Sequence, residues 1–323
     1  MKVFVTGGTG FIGAKTVARL IASGHECVCL IRNPRKKEVL KDLPCQMADG
    51  DITDRPSLME GMAGCEAVIN LANVFSLWEP DNSLYTKINI DGTRNVMEAA
   101  LLSKVQKVVH VSSIVTWGNT PDIPFNEKSP IGDHASEYAR TKYEGDRVAW
   151  ELVDRKGLPL VMIYPCAVLG PNDPKPIGDY IKMLAIKKMP IRGLESTALT
   201  FVHVNDVAEA IVRALEKEGN IGEGYIVGKE LCSMKQINGW VQEISGVPLP
   251  FLSVPNSVIK LNAFFLTALA DLTKRPPLWG LSSDSVRNAL SNMKADGSKA
   301  ERELGISYTP VRTAIEEFIE SFR

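Results

Sequence analysis

Tyr138 and Lys142 stand four residues apart, so in a helix a phenol and an ammonium share one face. A free tyrosine, with a pKa near 10, is a poor acid–base group at neutral pH. A cation a few ångströms away favours the phenolate, by about 1–3 pH units for such pairs, and brings it toward a useful range. A Tyr-x-x-x-Lys pair alone is common by chance. It gains weight from Ser113, in Val111-Ser112-Ser113 at the end of a predicted strand, where a hydroxyl would face the same crevice. Metal chemistry is not expected: His25, His110 and His134 have no ligand spacing, and none of the six cysteines forms a C-x-x-C pair.

The second chemical signal is Thr6-Gly7-Gly8-Thr9-Gly10-Phe11-Ile12-Gly13, between a predicted strand at Lys2-Thr6 and a predicted helix. Glycines at 7, 10 and 13 permit a tight turn, close approach of backbone to a pyrophosphate, and close helix packing, while the helix start offers free N–H groups. At the end of the second strand an NAD enzyme usually places a carboxylate for the ribose 2′-hydroxyl; this chain has Arg32, opening the basic run Arg32-Asn33-Pro34-Arg35-Lys36-Lys37. Arg32 and Arg35 would grip a 2′-phosphate, which predicts NADP(H) over NAD(H). Asp51 would hold the adenine amine and Ile52 cover the ring, and Leu71-Ala72-Asn73, after the fourth strand, would lie along the cofactor.

These residues must be positioned by a sheet. Short apolar runs without strict alternation, at Lys2-Thr6, Glu26-Arg32, Cys45-Ala48, Ala67-Leu71, Lys107-Ser112 and Pro159-Tyr164, predict strands buried on both faces. Between them Ala14, Val17, Ala18 and Ile21 have helical spacing, and Asn89 to Lys104 and Tyr138 to Lys156 also read as helices. The fold class is therefore α/β, a doubly wound parallel (Rossmann) sheet. After Pro165 the pattern becomes mostly helical, with short strands near Leu199-His203 and Tyr225-Val227 and helix caps at Asn205 and Ser233. The expected division is a dinucleotide-binding domain over 1–165 with 200–230, and a smaller substrate-binding lobe over 166–199 with 231–323.

Composition agrees with a folded enzyme-sized body. The 323 residues are 45% hydrophobic and 23% charged, with 25 glycines and 19 prolines, which excludes wholesale disorder and low complexity. A net charge of −1 gives no global attraction to nucleic acid or an anionic membrane. Neither a leader before the first strand nor a membrane span is expected, and unpaired cysteines fit a cytoplasmic location. Phe75, Leu77 and Trp78 would wall a substrate pocket or belong to the core. The apolar helical faces in Val258, Leu261, Phe264, Phe265 and Leu269 would close that pocket or form a homodimer surface.

With these residues in view, the chain resembles an extended short-chain dehydrogenase/reductase of the NAD-dependent epimerase/dehydratase family. The similarity is carried by the glycine turn, Asn89-Ile90-Asp91-Gly92-Thr93-Arg94-Asn95-Val96, the Ser113 region, Tyr138-x-x-x-Lys142, Tyr164-Pro165 with Gly170-Pro171, and Phe201-Val202-His203-Val204-Asn205-Asp206-Val207. Leu77-Trp78-Glu79-Pro80-Asp81 and the 170–176 stretch are similar to the dihydroflavonol reductase-like group, including hopanoid-associated sugar epimerase-like members. The resemblance implies that Tyr138 exchanges a proton with the substrate oxygen, and that Lys142 lowers its pKa and holds the nicotinamide ribose. Ser113 would polarise the carbonyl, and the family's serine-to-glycine spacing back from Gly118 selects it over Ser112. Pro165, Cys166 and Val168 would border the nicotinamide. Asn70, Asn73 and Tyr164 depart from frequent family residues at the pocket's edge. His203 would bind substrate or serve the fold. The implied activity is NADP(H)-dependent reduction of a ketone or aldehyde on a small organic substrate, with a nucleotide-sugar epimerase or dehydratase as the alternative and a non-catalytic dinucleotide sensor as a third reading.

Overall fold

The structure, a computed structural model, describes residues 1–121, 124–291 and 293–323. In chain order the strands are β1 (Lys2–Thr6), β2 (Glu26–Ile31), β3 (Gln46–Asp49), β4 (Ala67–Asn70), β5 (Lys107–Val111), β6 (Leu160–Pro165), β7 (Ala167–Leu169), β8 (Arg192–Gly193), β9 (Ala198–His203), β10 (Gly224–Val227), β11 (Glu230–Ser233) and β12 (Ser253–Val254). Seven of them form one parallel sheet in the order β10-β6-β5-β4-β1-β2-β3. Helices cover both faces, so strands such as Lys107–Val111 and Ala67–Asn70 are buried at every residue. The chain order reverses between β1 and β4, and ligands of such sheets lie in the crevice at the carboxyl ends of the strands at that switch.

The helix Phe11–Ala22 returns the chain from β1 to β2 and packs against Val204–Glu216, tied to it by Arg19 and Glu209. Glu137–Lys156 carries the chain from β5 toward β6. A smaller sheet, β11-β9-β7, is separate from the main one, as is the pair β8 with β12. A second apolar core, with Ile181, Phe201, Ile237, Ile315 and Phe318, fills the space among the helices Pro176–Ala185, Met234–Ser245 and Val311–Glu320.

Local chemistry explains where these elements start. The capping box expected at Ser233 is present with Gln236. The other cap differs from expectation: His203, not Asn205, begins Val204–Glu216, its Nδ1 accepting the Asn205 N–H at 3.1 Å while Nε2 meets Glu317 at 3.0 Å. That removes His203 from the substrate-binding candidates, because both ring nitrogens serve the fold and the residue is buried. The helix expected from Asn89 starts earlier, through a π-type segment Thr86–Gly92 that runs into Thr93–Leu102.

The helix Asn256–Thr273 is apolar on both sides. Ile259, Ala263 and Ala270 are buried, whereas Val258, Leu261, Phe265, Leu269 and Leu272 line the opposite, exposed stripe. Among the described residues no helix is long and apolar enough to cross a membrane.

Candidate active site

The crevice is floored by strand ends. After β1 the chain turns through Gly7, whose φ of +69° is a left-handed value, and a Cβ there would lie 2.7 Å from the Ala72 nitrogen. A Cβ on Gly13 would lie 2.1 Å from the Gly7 carbonyl oxygen, so the first turn of Phe11–Ala22 rests directly on the loop. Gly10 caps that helix with no side chain and leaves its first N–H groups facing the cleft. The cradle fits a pyrophosphate, which needs backbone donors and no intervening Cβ.

A cavity of about 500 Å³ opens from this turn. Of the sequence-predicted cofactor residues its walls contain Gly7, Gly10, Phe11, Ile12, Gly13, Leu71, Asn73, Tyr138, Pro165, Cys166 and Val168, together with Ser113. Thr9, Ala72 and Lys142 lie beside the wall rather than in it. Ala72 donates its N–H to the Thr6 hydroxyl at 3.2 Å. At the outer end of the crevice Arg32 is 67% exposed, with Nε 3.9 Å from the Asp51 carboxylate, so both groups predicted for the adenosine end stand together. Arg35 is exposed, its N–H held by the Asn33 side chain. Ile52 is buried with Cδ1 against Gly92, which places its side chain in the core.

Tyr138 and Lys142 come from the first two turns of Glu137–Lys156, which Ser136 begins by accepting the Ala139 N–H at 3.2 Å. Ser113, at the end of β5, and Tyr138, on the helix, both line this cavity, and the serine hydroxyl is close enough to act on the phenol. Burial raises the Tyr138 phenol well above its ordinary value, and the Ser113 contact opposes that rise. Lys142 donates to the Val111 carbonyl at 3.3 Å; burial lowers its pKa, and the Asp146 charge one turn on opposes the drop. The expected lowering of Tyr138 by Lys142 is therefore not the governing effect here; desolvation is.

Two buried networks hold this helix. Asn89 accepts the Val74 N–H at 2.9 Å and donates to Thr141 at 3.1 Å, tying the loop after β4 to the turn between Tyr138 and Lys142. Gly145 lets that contact close, since a Cβ there would lie 2.3 Å from the Asn89 carbonyl. Beneath the cleft, Thr6 donates to Asn70 at 2.5 Å, Asn70 meets His110 Nδ1 at 3.0 Å, His110 Nε2 faces Asp146 at 3.6 Å, and Asp146 accepts from Ser112 at 2.7 Å. Both serines line the cavity, but the Ser112 hydroxyl is committed to Asp146 in this network.

The rest of the wall was not assigned by motif. Phe75 and Leu77 line the cavity, whereas Trp78 turns away and donates Nε1 to Asp271 at 2.9 Å. Lys175, Tyr180, Leu194, Trp279, Leu281 and Met293 complete it. Lys175 apart, their signal in the sequence is only apolar or aromatic character in segments that follow β7. Val258, Leu261, Phe264, Phe265 and Leu269 are exposed and do not line the cavity. Among the described residues no group of His, Cys, Asp and Glu is arranged to hold a metal ion.

A parallel sheet reversing at a glycine turn, with a serine, a tyrosine and a lysine converging beside it, defines an extended short-chain dehydrogenase/reductase. The model of the NAD dependent epimerase/dehydratase family matches residues 3–228. A putative dihydroflavonol 4-reductase of Synechocystis sp. is 29% identical over 99% of this chain and 94% of its own length. Sterol demethylase protein B of Methylococcus capsulatus is 32% identical over 100% of this chain and 98% of its own. The crystal structure of gox2253 superposes with a TM-score of 0.85 at 31% identity, covering 99% of this chain and 97% of that one. The chain belongs to the NAD-dependent epimerase/dehydratase family.

Proposed function

We propose that this protein is an NADP(H)-dependent oxidoreductase that reduces a ketone or aldehyde of a small organic substrate, or runs the reverse oxidation. The observation that carries the reading is that Ser113 and Tyr138 line one cavity together with the glycine turn. Bound in that cleft, a nicotinamide dinucleotide supplies or accepts the hydride. Gly7, Gly10, Phe11, Ile12 and Gly13 would hold its pyrophosphate, with Thr9 in the same turn; Leu71, Ala72 and Asn73 would follow its length, and Pro165, Cys166 and Val168 would border the reactive ring. Ser113 would donate to the substrate oxygen and Tyr138 would exchange a proton with it. Lys142, a buried ammonium one helical turn away, would hold the ribose hydroxyls and set the charge beside the phenol.

The preference for NADP(H) over NAD(H) rests on the exposed Arg32 guanidinium at the tip of β2, where a 2′-phosphate would be gripped, with Arg35 nearby. Asp51, facing Arg32, would take the adenine amine. The family description favours a second reading, an epimerase or dehydratase that returns its hydride and consumes no cofactor. A panel of carbonyl substrates decides: stoichiometric oxidation of NADPH supports the reductase, while a rearranged sugar nucleotide at constant nicotinamide absorbance overturns it. Tighter binding of NADH than NADPH would refute the cofactor assignment.

A further inference from the structure

Beyond the serine, tyrosine and lysine, the described wall of the cavity carries a further cation, Lys175. The segment after β7 reaches back over the cavity and ends at Lys175, the residue before the helix Pro176–Ala185, where Pro176 fixes the first helical position. The Lys175 Nζ lies 5.2 Å from the centre of the Phe11 ring and 5.2 Å from that of Phe75. Phe11 opens the helix above the glycine turn, and the Phe75 ring stands edge-on to Tyr138, centroids 5.2 Å apart. Lys175 is thus placed where the dinucleotide cradle meets the substrate wall.

Its surroundings favour a negative partner. Lys175 forms no ion pair within 4 Å among the described residues; Asp173, the opposing charge that acts on it, is buried and turns its Oδ1 to the Lys175 backbone N–H at 3.0 Å. Burial lowers the Lys175 pKa, and the Asp173 charge opposes that drop, so an anion arriving in the cleft would further favour the charged form. Two aromatic faces hold the ammonium without neutralising it. The helix start beneath Phe11 offers N–H donors on the other side of the same space.

We propose that Lys175 is an anion-binding residue that contacts the dinucleotide pyrophosphate from the side opposite the glycine turn. This inference rests on the reading that a nicotinamide dinucleotide occupies the cleft. It assigns a charge-assisted contact to the 170–176 segment, which otherwise only joins β7 to a helix. A phosphate oxygen between backbone donors and an ammonium has its charge balanced from two directions, and removing the ammonium leaves only the turn.

Calorimetric titration of the full-length protein with ADP-ribose tests the contact, because this probe carries the pyrophosphate and no nicotinamide. Lys175→Met is expected to weaken ADP-ribose about 10- to 100-fold, Lys175→Gln to do the same, and Lys175→Arg to recover most of the loss. Wild-type affinity should fall more steeply with salt than that of Lys175→Met. Equal ADP-ribose affinity in wild type and in Lys175→Gln, with matching thermal midpoints, would overturn the proposal. So would a loss seen only in the KM of a carbonyl substrate, which would move the ammonium to that molecule. A wild-type protein that binds neither ADP-ribose nor NADPH would instead sink the parent reading.

Discussion

Around the glycine turn, the lining is positioned by backbone and strand ends: Gly7 against Leu71 and Ala72, Gly13 against Gly7, and Ser113 at the close of β5. Elsewhere the lining is made of large side chains from segments far apart in the chain, including Phe75, Leu194, Trp279 and Met293. The first side is set by atoms that cannot move without disturbing the sheet. The second is set by residues that can change size while the sheet stays intact. A cofactor common to many reactions suits the rigid side, and a substrate particular to one reaction suits the variable side.

This contrast makes graded predictions. Tyr138→Phe should lower turnover by about 10³-fold or more while dinucleotide affinity stays within a few-fold, measured by steady-state rates and calorimetry; full activity would break the mechanism. Gly13→Ala, whose Cβ must displace the Gly7 carbonyl, should weaken the dinucleotide by on the order of 100-fold and lower the unfolding midpoint by several degrees. Normal binding in that variant would show that the rigid side is not rigid.

Asp173 gives a pH-dependent test on the variable side. Burial pushes its carboxyl up to about 6, from 3.8 when free. A raised folded pKa favours the native state fully below the unfolded value, and that contribution is lost as pH rises through about 6. Asp173→Asn should therefore stabilise the protein at pH 8, by roughly 3 kcal/mol at most, and give no gain at pH 4 in thermal unfolding. A gain that does not depend on pH would contradict the assignment to charge burial. Two smaller effects sharpen the two sides. Arg32→Glu should move the ratio of NADPH to NADH affinity about 10-fold toward NADH. Trp279→Ala should change substrate KM a few-fold and leave dinucleotide affinity unaltered.

The rigid side is also the one the sequence announces. Its residues are adjacent in the chain or at fixed helical spacing, and their types are dictated by backbone geometry, as at Gly7, or by one face of a helix, as at Tyr138 and Lys142. The main strands follow from runs buried on both faces. The variable side is silent because it is assembled by tertiary packing: nothing in the spacing of Leu194, Trp279 and Met293 says that they meet. Trp78 and His203 show the converse, since each has a residue type suited to a pocket and is used instead by a partner distant in sequence, Asp271 and Glu317. The effect of burial on Tyr138 is equally invisible in one dimension, because desolvation depends on the whole surround.

The buried contacts from Thr6 through Asn70 and His110 to Asp146 and Ser112 cross the tips of three neighbouring strands before reaching the helix. Sliding β1, β4 or β5 by one residue would strand several polar groups in a dry interior, at a cost of about 1–3 kcal/mol for each. The alignment of the central strands is thereby locked by polarity at one end, where apolar side chains alone would accept more than one register.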